Sequence, residues 1–314
     1  MELKEATVQF VNDVCVGKTN LTPDAYHNKL LYLRVYIGDD TPMDNISNQD
    51  IIDFQKYFKN RNTKRRGSTI VSGHISPFTI RNALITIRYF LRWCHEKSIT
   101  NDNFMSVINI PKLPKPEPKA VRKDTVLALL ELAATTGFLW CRPRNIAIIY
   151  LLRDTGGRLG ALALMDVDNL DLQTGRIYTK TKGDNSITLR LTDTTVQAIK
   201  NWLPVRNSLH PLDHKLLTNR QRVGLAPQGI YRAIYTLTER GEIVGRSNPH
   251  AFRHAFARDL LRNGADLSTV SQLMGHSSIQ TTADYYARWA DDELQISHNK
   301  FSPVNDLPLI NPQI

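Results

Sequence analysis

The sequence predicts a mainly α-helical protein with one small antiparallel β-sheet, arranged as two domains. Three observations carry that expectation. The first hundred residues repeat apolar positions at helical spacing behind proline and cap signals. A run of prolines and lysines interrupts the chain after residue 110. One stretch, GRIYTKTKGDNSITLRL at 175–191, alternates apolar and polar residues as a half-buried hairpin does.

Residues 1–110 read as helical throughout. Val8, Phe10, Val11 and Val14 mark a first helix, and Thr22-Pro23-Asp24 opens a second whose Leu30, Leu31, Leu33 and Val35 run on to Gly38. Asn48 is expected to cap a third through Ile51, Ile52, Phe54, Tyr57 and Phe58. Ser76-Pro77 starts the longest, with Ile80, Leu84, Ile87, Phe90, Leu91 and Trp93 as its apolar stripe. Four such helices make a small bundle-like domain. Between the third and fourth, KYFKNRNTKRRGS carries Lys56, Lys59, Arg61, Lys64, Arg65 and Arg66 with no acid, a run that by itself reads as a solvated loop.

Residues 111–119, PKLPKPEPK, hold four prolines and three lysines, a composition that resists helix and favours an extended spacer. The expected division is therefore a helical domain at 1–110, a linker at 111–119, a second domain at 120–296 and a tail at 297–314. In the second domain, Lys123–Ala134 and Pro143–Arg153 read as helices, followed by the turn Asp154-Thr155-Gly156-Gly157-Arg158 and a short helix over Leu159–Leu164. In the hairpin, Ile177 and Tyr178 precede a turn at Gly183-Asp184-Asn185, and Ile187, Leu189 and Leu191 alternate after it. Residues 193–206 and 225–240 suggest two more helices, with Arg220 and Arg222 in the polar loop between them.

Asn248 before Pro249 reads as an N-cap and a first-turn proline. The helix behind them is expected to turn Ala251, Phe252, Ala255, Phe256, Leu260 and Leu261 inward, with His250, Arg253 and His254 on the opposite face. Asn263-Gly264 ends it, Ser268 caps a short successor, and Gly275 closes that one just before His276.

Composition narrows the class of partner. Forty basic against thirty acidic residues among 314 give a net charge of +10 and a pI near 9.5, a field that favours a polyanion. Cys15, Cys94 and Cys141 are scattered and odd in number, so neither a disulfide framework nor a zinc site is suggested. The start, MELKEATVQF, has no signal-peptide pattern, and no stretch approaches the roughly 20 apolar residues of a membrane span. A soluble, unexported protein without a membrane partner is expected.

The run from Ser247 to Trp289 turns twice within some forty residues, compact enough to gather His250, Arg253, His276 and either Tyr285 or Tyr286 around one small ligand. Those residue types suit a phosphodiester. A guanidinium matches two phosphate oxygens, imidazoles donate or relay protons, and a phenolate attacks phosphorus. None of them is a good Mg²⁺ ligand. Zinc hydrolysis is a weaker reading: His250 and His254 lie four apart, with His276 downstream, but the zincin pattern needs Glu at 251 and the chain has Ala251.

His250-x-x-Arg253, Leu273-Met274-Gly275-His276-Ser277-Ser278 and Thr281-Thr282-x-x-Tyr285, in this order and spacing, resemble the C-terminal signature of the tyrosine recombinases, the phage-integrase group that includes the Xer and Cre-like enzymes. The resemblance extends to the four helices and linker, which are similar to that family's core-binding domain and hinge. It implies a clamp of two domains around DNA, the second an α+β catalytic domain. It also implies that Tyr285 is the nucleophile, with Tyr286 its neighbour. Thr155-Gly156-x-Arg158 resembles the first arginine box, which makes Arg158 a second phosphate-binding guanidinium; taken alone, the pattern describes a surface arginine after a tight turn. Family members usually carry an acid three residues later, where this chain has Ala161, and Asp154 is the expected substitute. The hairpin lysine of the family, general acid to the leaving hydroxyl, best matches Lys182, with Lys180 the runner-up. In the setting of DNA the basic run from Lys56 to Arg66, together with Arg220 and Arg222, is expected to meet backbone phosphates.

What the resemblance implies chemically is a transesterification through a 3′-phosphotyrosine, which needs neither ATP, nor a metal, nor another cofactor. His250 assists the phenol, Arg158 and Arg253 neutralise charge growing on the phosphoryl oxygens, His276 adds a hydrogen bond and Lys182 protonates the departing 5′ oxygen. Expected partners are double-stranded recombination sites and further copies of the chain, a dimer on a site and a tetramer in synapsis, with accessory directionality proteins. The expected location is the cytoplasm, with the nucleoid. The tail, with Leu307, Leu309 and Ile310, is expected to dock on a neighbouring protomer. Two other readings stand beside this one: a type IB topoisomerase, which would use nearly the same residues, and a DNA-binding protein that has lost catalysis.

Overall fold

Side chains that satisfy the first free N–H groups mark where several helices of this chain begin. The computed structural model describes residues 1–16, 23–61, 63–66, 69–114, 119–180, 186–275 and 283, with main chain only for 63–66 and 69–71. These fall into two compact units, Met1–Lys115 and Pro116–Ile314. No helix of the described residues is long and apolar enough to cross a membrane.

The first unit contains α1 (Leu3–Cys15), α2 (Pro23–Ile37), α3 (Asn48–Asn60) and α4 (Pro77–Glu96). Ser76 caps α4, its hydroxyl accepting from Thr79 N at 3.1 Å, with Pro77 in the first turn. The cap of α3 is Ser47 and not Asn48. Ser47 Oγ accepts from Asp50 N while Asp50 returns a bond to Ser47 N at 2.8 Å, a reciprocal pair that Asn48 is too far along to make. Phe10, Phe54, Phe58, Phe90 and Phe104 are fully buried in the unit's core with Leu30 and Leu33. Each such side chain contributes about 1.5–3 kcal/mol by leaving water.

The expectation of helix throughout 1–110 fails at the basic run. Its second half forms a hairpin, β1 (Thr63–Arg66) antiparallel to β2 (Thr69–Ser72), in register Thr63↔Ser72 to Arg66↔Thr69. Thr63, Thr69, Ile70 and Val71 are β-branched and favour extended backbone, and the Gly67-Ser68 pair lies between the strands in sequence. Charge had made the stretch look like loop.

The second unit is built on α6 (Cys141–Thr155), flanked by α5 (Lys123–Thr135), α8 (Asp193–Ser208), α9 (Pro227–Arg240) and α10 (Pro249–Arg262). Ile148, Leu151 and Leu152 of α6 are fully buried with Ile199 and Trp202 of α8 and Phe252 of α10. Trp202 satisfies its indole N–H on the Leu216 carbonyl at 2.8 Å. Short α7 (Leu159–Ala163) leads to a three-stranded antiparallel sheet, order β3-β4-β5: β3 (Leu170–Asp171), β4 (Arg176–Lys180) and β5 (Ser186–Arg190). The hairpin matches the sequence reading; the two-residue β3 is too short to announce itself in a pattern. The whole is a mainly α fold with a small antiparallel sheet, as expected. The cap of α11 (Leu267–Leu273) is Asp266, accepting from Thr269 N at 2.9 Å, and not Ser268. Both carboxylate oxygens of Asp266 bind Thr269, which holds its carboxyl below the usual range.

Candidate active site

The turn carrying Arg158 follows directly from its sequence. Thr155 accepts from Gly157 N at 3.0 Å and donates to the Leu151 carbonyl, closing the end of α6. Gly156 then adopts φ +55°, and a Cβ there would stand 2.5 Å from Phe256 Cδ1. Only glycine fits both conditions without strain. Arg158 emerges as the N-cap of α7, exposed, and among the described residues its guanidinium makes no hydrogen bond or ion pair.

On α10, Asn248 caps as expected, its Oδ1 accepting from Ala251 N at 2.9 Å, which sets His250 in the first turn with its side chain exposed. Arg253 does not share that face. It is only 8% exposed, and its guanidinium donates Nη1 to the Gly156 carbonyl at 2.7 Å and Nη2 to the Met274 carbonyl at 2.9 Å. An amphipathic assignment sends a cation outward; two carbonyls from other elements draw this one in. Arg253 therefore ties together the turn two residues before Arg158 and the segment two residues before His276. Gly275, at φ +60°, closes the arrangement: a Cβ there would lie 2.4 Å from Ile187 Cδ1, so the end of α11 rests on β5. The β4–β5 connection holds Lys182. Phe256, Leu260 and Leu261, expected inward, are only partly buried, against Ala257, Val270 and Met274.

The described residues thus bring Arg158, His250 and Arg253 onto adjoining elements. Lys182, His276, Tyr285 and Tyr286 lie outside the described residues, as do the expected turn at 183–185 and the tail. Lys180, the alternative lysine, ends β4 with its side chain exposed. His254 is half-buried. Burial, then His250 and Arg253 nearby, hold its imidazole down to about 4, so it is neutral at pH 7. Among the described residues no three His, Cys, Asp or Glu side chains come together as a metal would need.

Asp154 does not support Arg158. Its Oδ2 accepts from Thr192 N at 2.8 Å and Thr192 Oγ1 at 3.0 Å, fixing the start of α8. Ala161, at the place of the missing acid, is buried, and its carbonyl accepts from Thr179 Oγ1 of β4 at 2.9 Å. Its small side chain lets the sheet close over α7. A link between α6 and α10 that sequence reading missed is the ion pair of Arg153 with Asp259, to which Arg258 Nε adds a bond at 2.9 Å. Burial alone would raise the Asp259 carboxyl, but the bonds from Arg258 and Arg153 hold it below the usual range. Its partners are 106 residues apart in sequence, beyond any local pattern.

Of the basic residues expected to meet DNA in the first unit, Lys56 and Lys59 are exposed and Arg61 is half-buried. Lys56 pairs with Asp53 at 3.0 Å, Lys59 is exposed at the end of α3, and the Arg61 guanidinium lies 5.9 Å from the Tyr57 ring centre. The side chains of Lys64, Arg65 and Arg66 lie outside the described residues. In the second unit, Arg220 sits over Phe138, and Arg222 donates Nε to the His210 carbonyl at 2.6 Å, which commits part of its guanidinium to the loop. Arg81, Arg88 and Arg92 of α4, the first two half-buried and the third exposed, follow one another at seven and four residues with no acid before Glu96, a pattern that the sequence reading did not single out.

Comparison with known proteins finds relatives in both sequence and fold. Residues 119–293 match the phage integrase family. The chain is 30% identical over 210 residues to tyrosine recombinase XerC of Pseudomonas syringae pv. tomato, covering 67% of this chain and 69% of that one. It is 29% identical over 293 residues to tyrosine recombinase XerD of Staphylococcus epidermidis, covering 91% and 94%. In fold it is similar to XerH site-specific recombinase bound to a palindromic difH substrate, at a TM-score of 0.70 and 19% identity over 88% of this chain and 79% of that one. It is also similar to a lambda integrase dimer bound to a COC′ core site, at 0.67 and 17% over 90% and 97%.

Proposed function

The chain belongs to the phage integrase family, and from that footing we propose that it is a site-specific DNA recombinase that cuts and rejoins strands through a 3′-phosphotyrosine. Tyr285 Oη forms the bond to phosphorus as the bond to the 5′ oxygen breaks. The phenol proton passes to His250, since a phenol with a pKa of about 10 is mostly protonated at neutral pH. Lys182 supplies a proton to the departing oxygen. A 5′-hydroxyl from another strand then attacks the phosphotyrosine and restores both the phosphodiester and the tyrosine. The bond energy is held in the covalent intermediate, so no nucleotide or metal enters the step.

The observation that most supports this reading is the position of Arg253. A buried guanidinium that grips both the backbone of the turn before Arg158 and the end of α11 ties together the two segments that carry Arg158 and His276, the groups that would stabilise a five-coordinate phosphoryl group. His276 adds a donor from the segment Arg253 holds. The two units, joined by the proline-rich linker, act as a clamp on double-stranded DNA, with Lys56, Lys59, Arg61, Lys64, Arg65, Arg66, Arg220 and the α4 arginines on backbone phosphates. The chain works as a dimer on each site and a tetramer in synapsis, in the cytoplasm beside nucleoid DNA. Accessory proteins set the direction of exchange.

The test is a duplex target site nicked beside the cleavage point, so that the freed fragment diffuses away and the intermediate accumulates. We expect a denaturant-stable adduct joined through a tyrosine, formed equally with and without EDTA. No adduct on any site recovered with the protein, or an adduct abolished by EDTA, would overturn the proposal.

A further inference from the structure

Away from the residues assigned to strand cleavage, the loop 136–138, α6 and α9 line an open cavity of about 510 Å³. Its lining includes Gly137, Arg144, Asn145, Arg232, Leu237 and Arg240, and contains no carboxylate. Arg144 is the informative member. It is 8% exposed, and burial lowers its pKa. Its Nε and Nη2 donate to Asn145 Oδ1 at 3.3 and 3.0 Å, its Nη1 donates to the Thr218 carbonyl at 3.1 Å, and its guanidinium lies 4.8 Å from the Trp140 ring centre. All of these partners are neutral. A guanidinium carries five N–H donors, so two remain on a buried cation that lines the cavity without a counter-ion among the described residues.

Arg232 and Arg240, two turns apart on α9, line the same cavity from its rim. Both are exposed, and neither makes a hydrogen bond or ion pair among the described residues, although Glu239 and Glu242 lie close in sequence. Leaving a buried cation uncompensated is costly, and two more cations beside it raise the cost. A compact anion with several acceptor oxygens removes it, since guanidinium groups bind tetrahedral oxyanions through paired, charge-assisted hydrogen bonds.

We propose that this cavity is a second phosphate-binding site, separate from the cleavage site, taking a DNA backbone phosphate that flanks the cleaved position. The anion chemistry stands without the recombinase reading; only the identification of DNA as its source rests on it. A free phosphate ion would satisfy the same groups, so the experiment separates the two.

The probes are inorganic phosphate and a half-site duplex, applied to the full chain and to the double variant Arg232→Gln/Arg240→Gln, whose exposed positions do not threaten folding. Melting is compared in phosphate and in chloride at matched ionic strength, and duplex affinity is measured across a salt series. We expect the variant to show a shallower dependence of log K on log salt, by about 0.9 for each DNA phosphate it no longer neutralises, on cognate and unrelated duplexes alike. Phosphate should raise the melting temperature of the wild type more than that of the variant. A shallower slope without the melting effect still supports a DNA phosphate. Selective stabilisation by phosphate with identical slopes would overturn the DNA assignment and leave a free-anion site. Identical slopes with no phosphate effect would overturn the site itself. Adduct formation by the wild type, read in parallel, reports on the recombinase reading separately.

Discussion

Gly156 and Gly160 stand four residues apart and should respond to the same substitution in opposite senses. At Gly156 an alanine meets Phe256 and a φ of +55°, so Gly156→Ala is expected to cost about 1–3 kcal/mol in denaturant unfolding. At Gly160 nothing lies within 4 Å and the residue is helical, so Gly160→Ala should stabilise by about 0.5–1 kcal/mol. Equal effects would mean that the turn is not held by the contact with Phe256. His254 gives a pH signature. Its ordinary value of 6.5 falls to about 4 in the folded protein, so the unfolded chain binds the proton first as pH drops. The stability it contributes is complete above about 6.5 and is lost progressively towards pH 4. Unfolding measured over that window should flatten in His254→Gln, and an unchanged slope would assign the pH dependence to other groups.

At the scale of elements, α6 and α10 are bracketed twice: by Arg153 with Asp259, and by Arg253 on the Gly156 carbonyl. Side chains about 30% exposed place the Arg153–Asp259 pair between surface and core. Asp259→Asn is therefore expected to cost about 1–2 kcal/mol. The exchanged pair Arg153→Asp/Asp259→Arg should recover part of it, and no recovery would mean that the two charges are not coupled. Elements of this kind divide sharply in how legible they were. Ser76-Pro77 and Asn248-Pro249 carry their own cap and first turn, so local chemistry alone located the starts of α4 and α10. Asp154 and Arg253 were misread because their partners, Thr192, Gly156 and Met274, lie on other elements and no window includes both. The hairpin of β1 and β2 was hidden for another reason: its cations masked the β-branched residues between them.

At the scale of the whole molecule, the motif 250–285 announced the family because the chemistry constrains several residue types in order, whereas the cavity of Arg144, Arg232 and Arg240 leaves no such signature. Its three arginines belong to two helices and their spacing means nothing until the helices pack. The proposal that the apolar tail docks on a neighbouring protomer also belongs at this scale. Deleting residues 301–314 should weaken multimer assembly on paired sites more than binding to one half-site, measured by native gel or mass photometry; equal loss of both would rule out docking on a neighbour. The most direct test of the central claim, the proposal that one phenol works with Arg158 and Arg253 on a phosphodiester, is the covalent adduct on a nicked site measured for Tyr285→Phe and Tyr286→Phe side by side. The account predicts no adduct from Tyr285→Phe and wild-type levels from Tyr286→Phe, and an adduct that persists in Tyr285→Phe would contradict it.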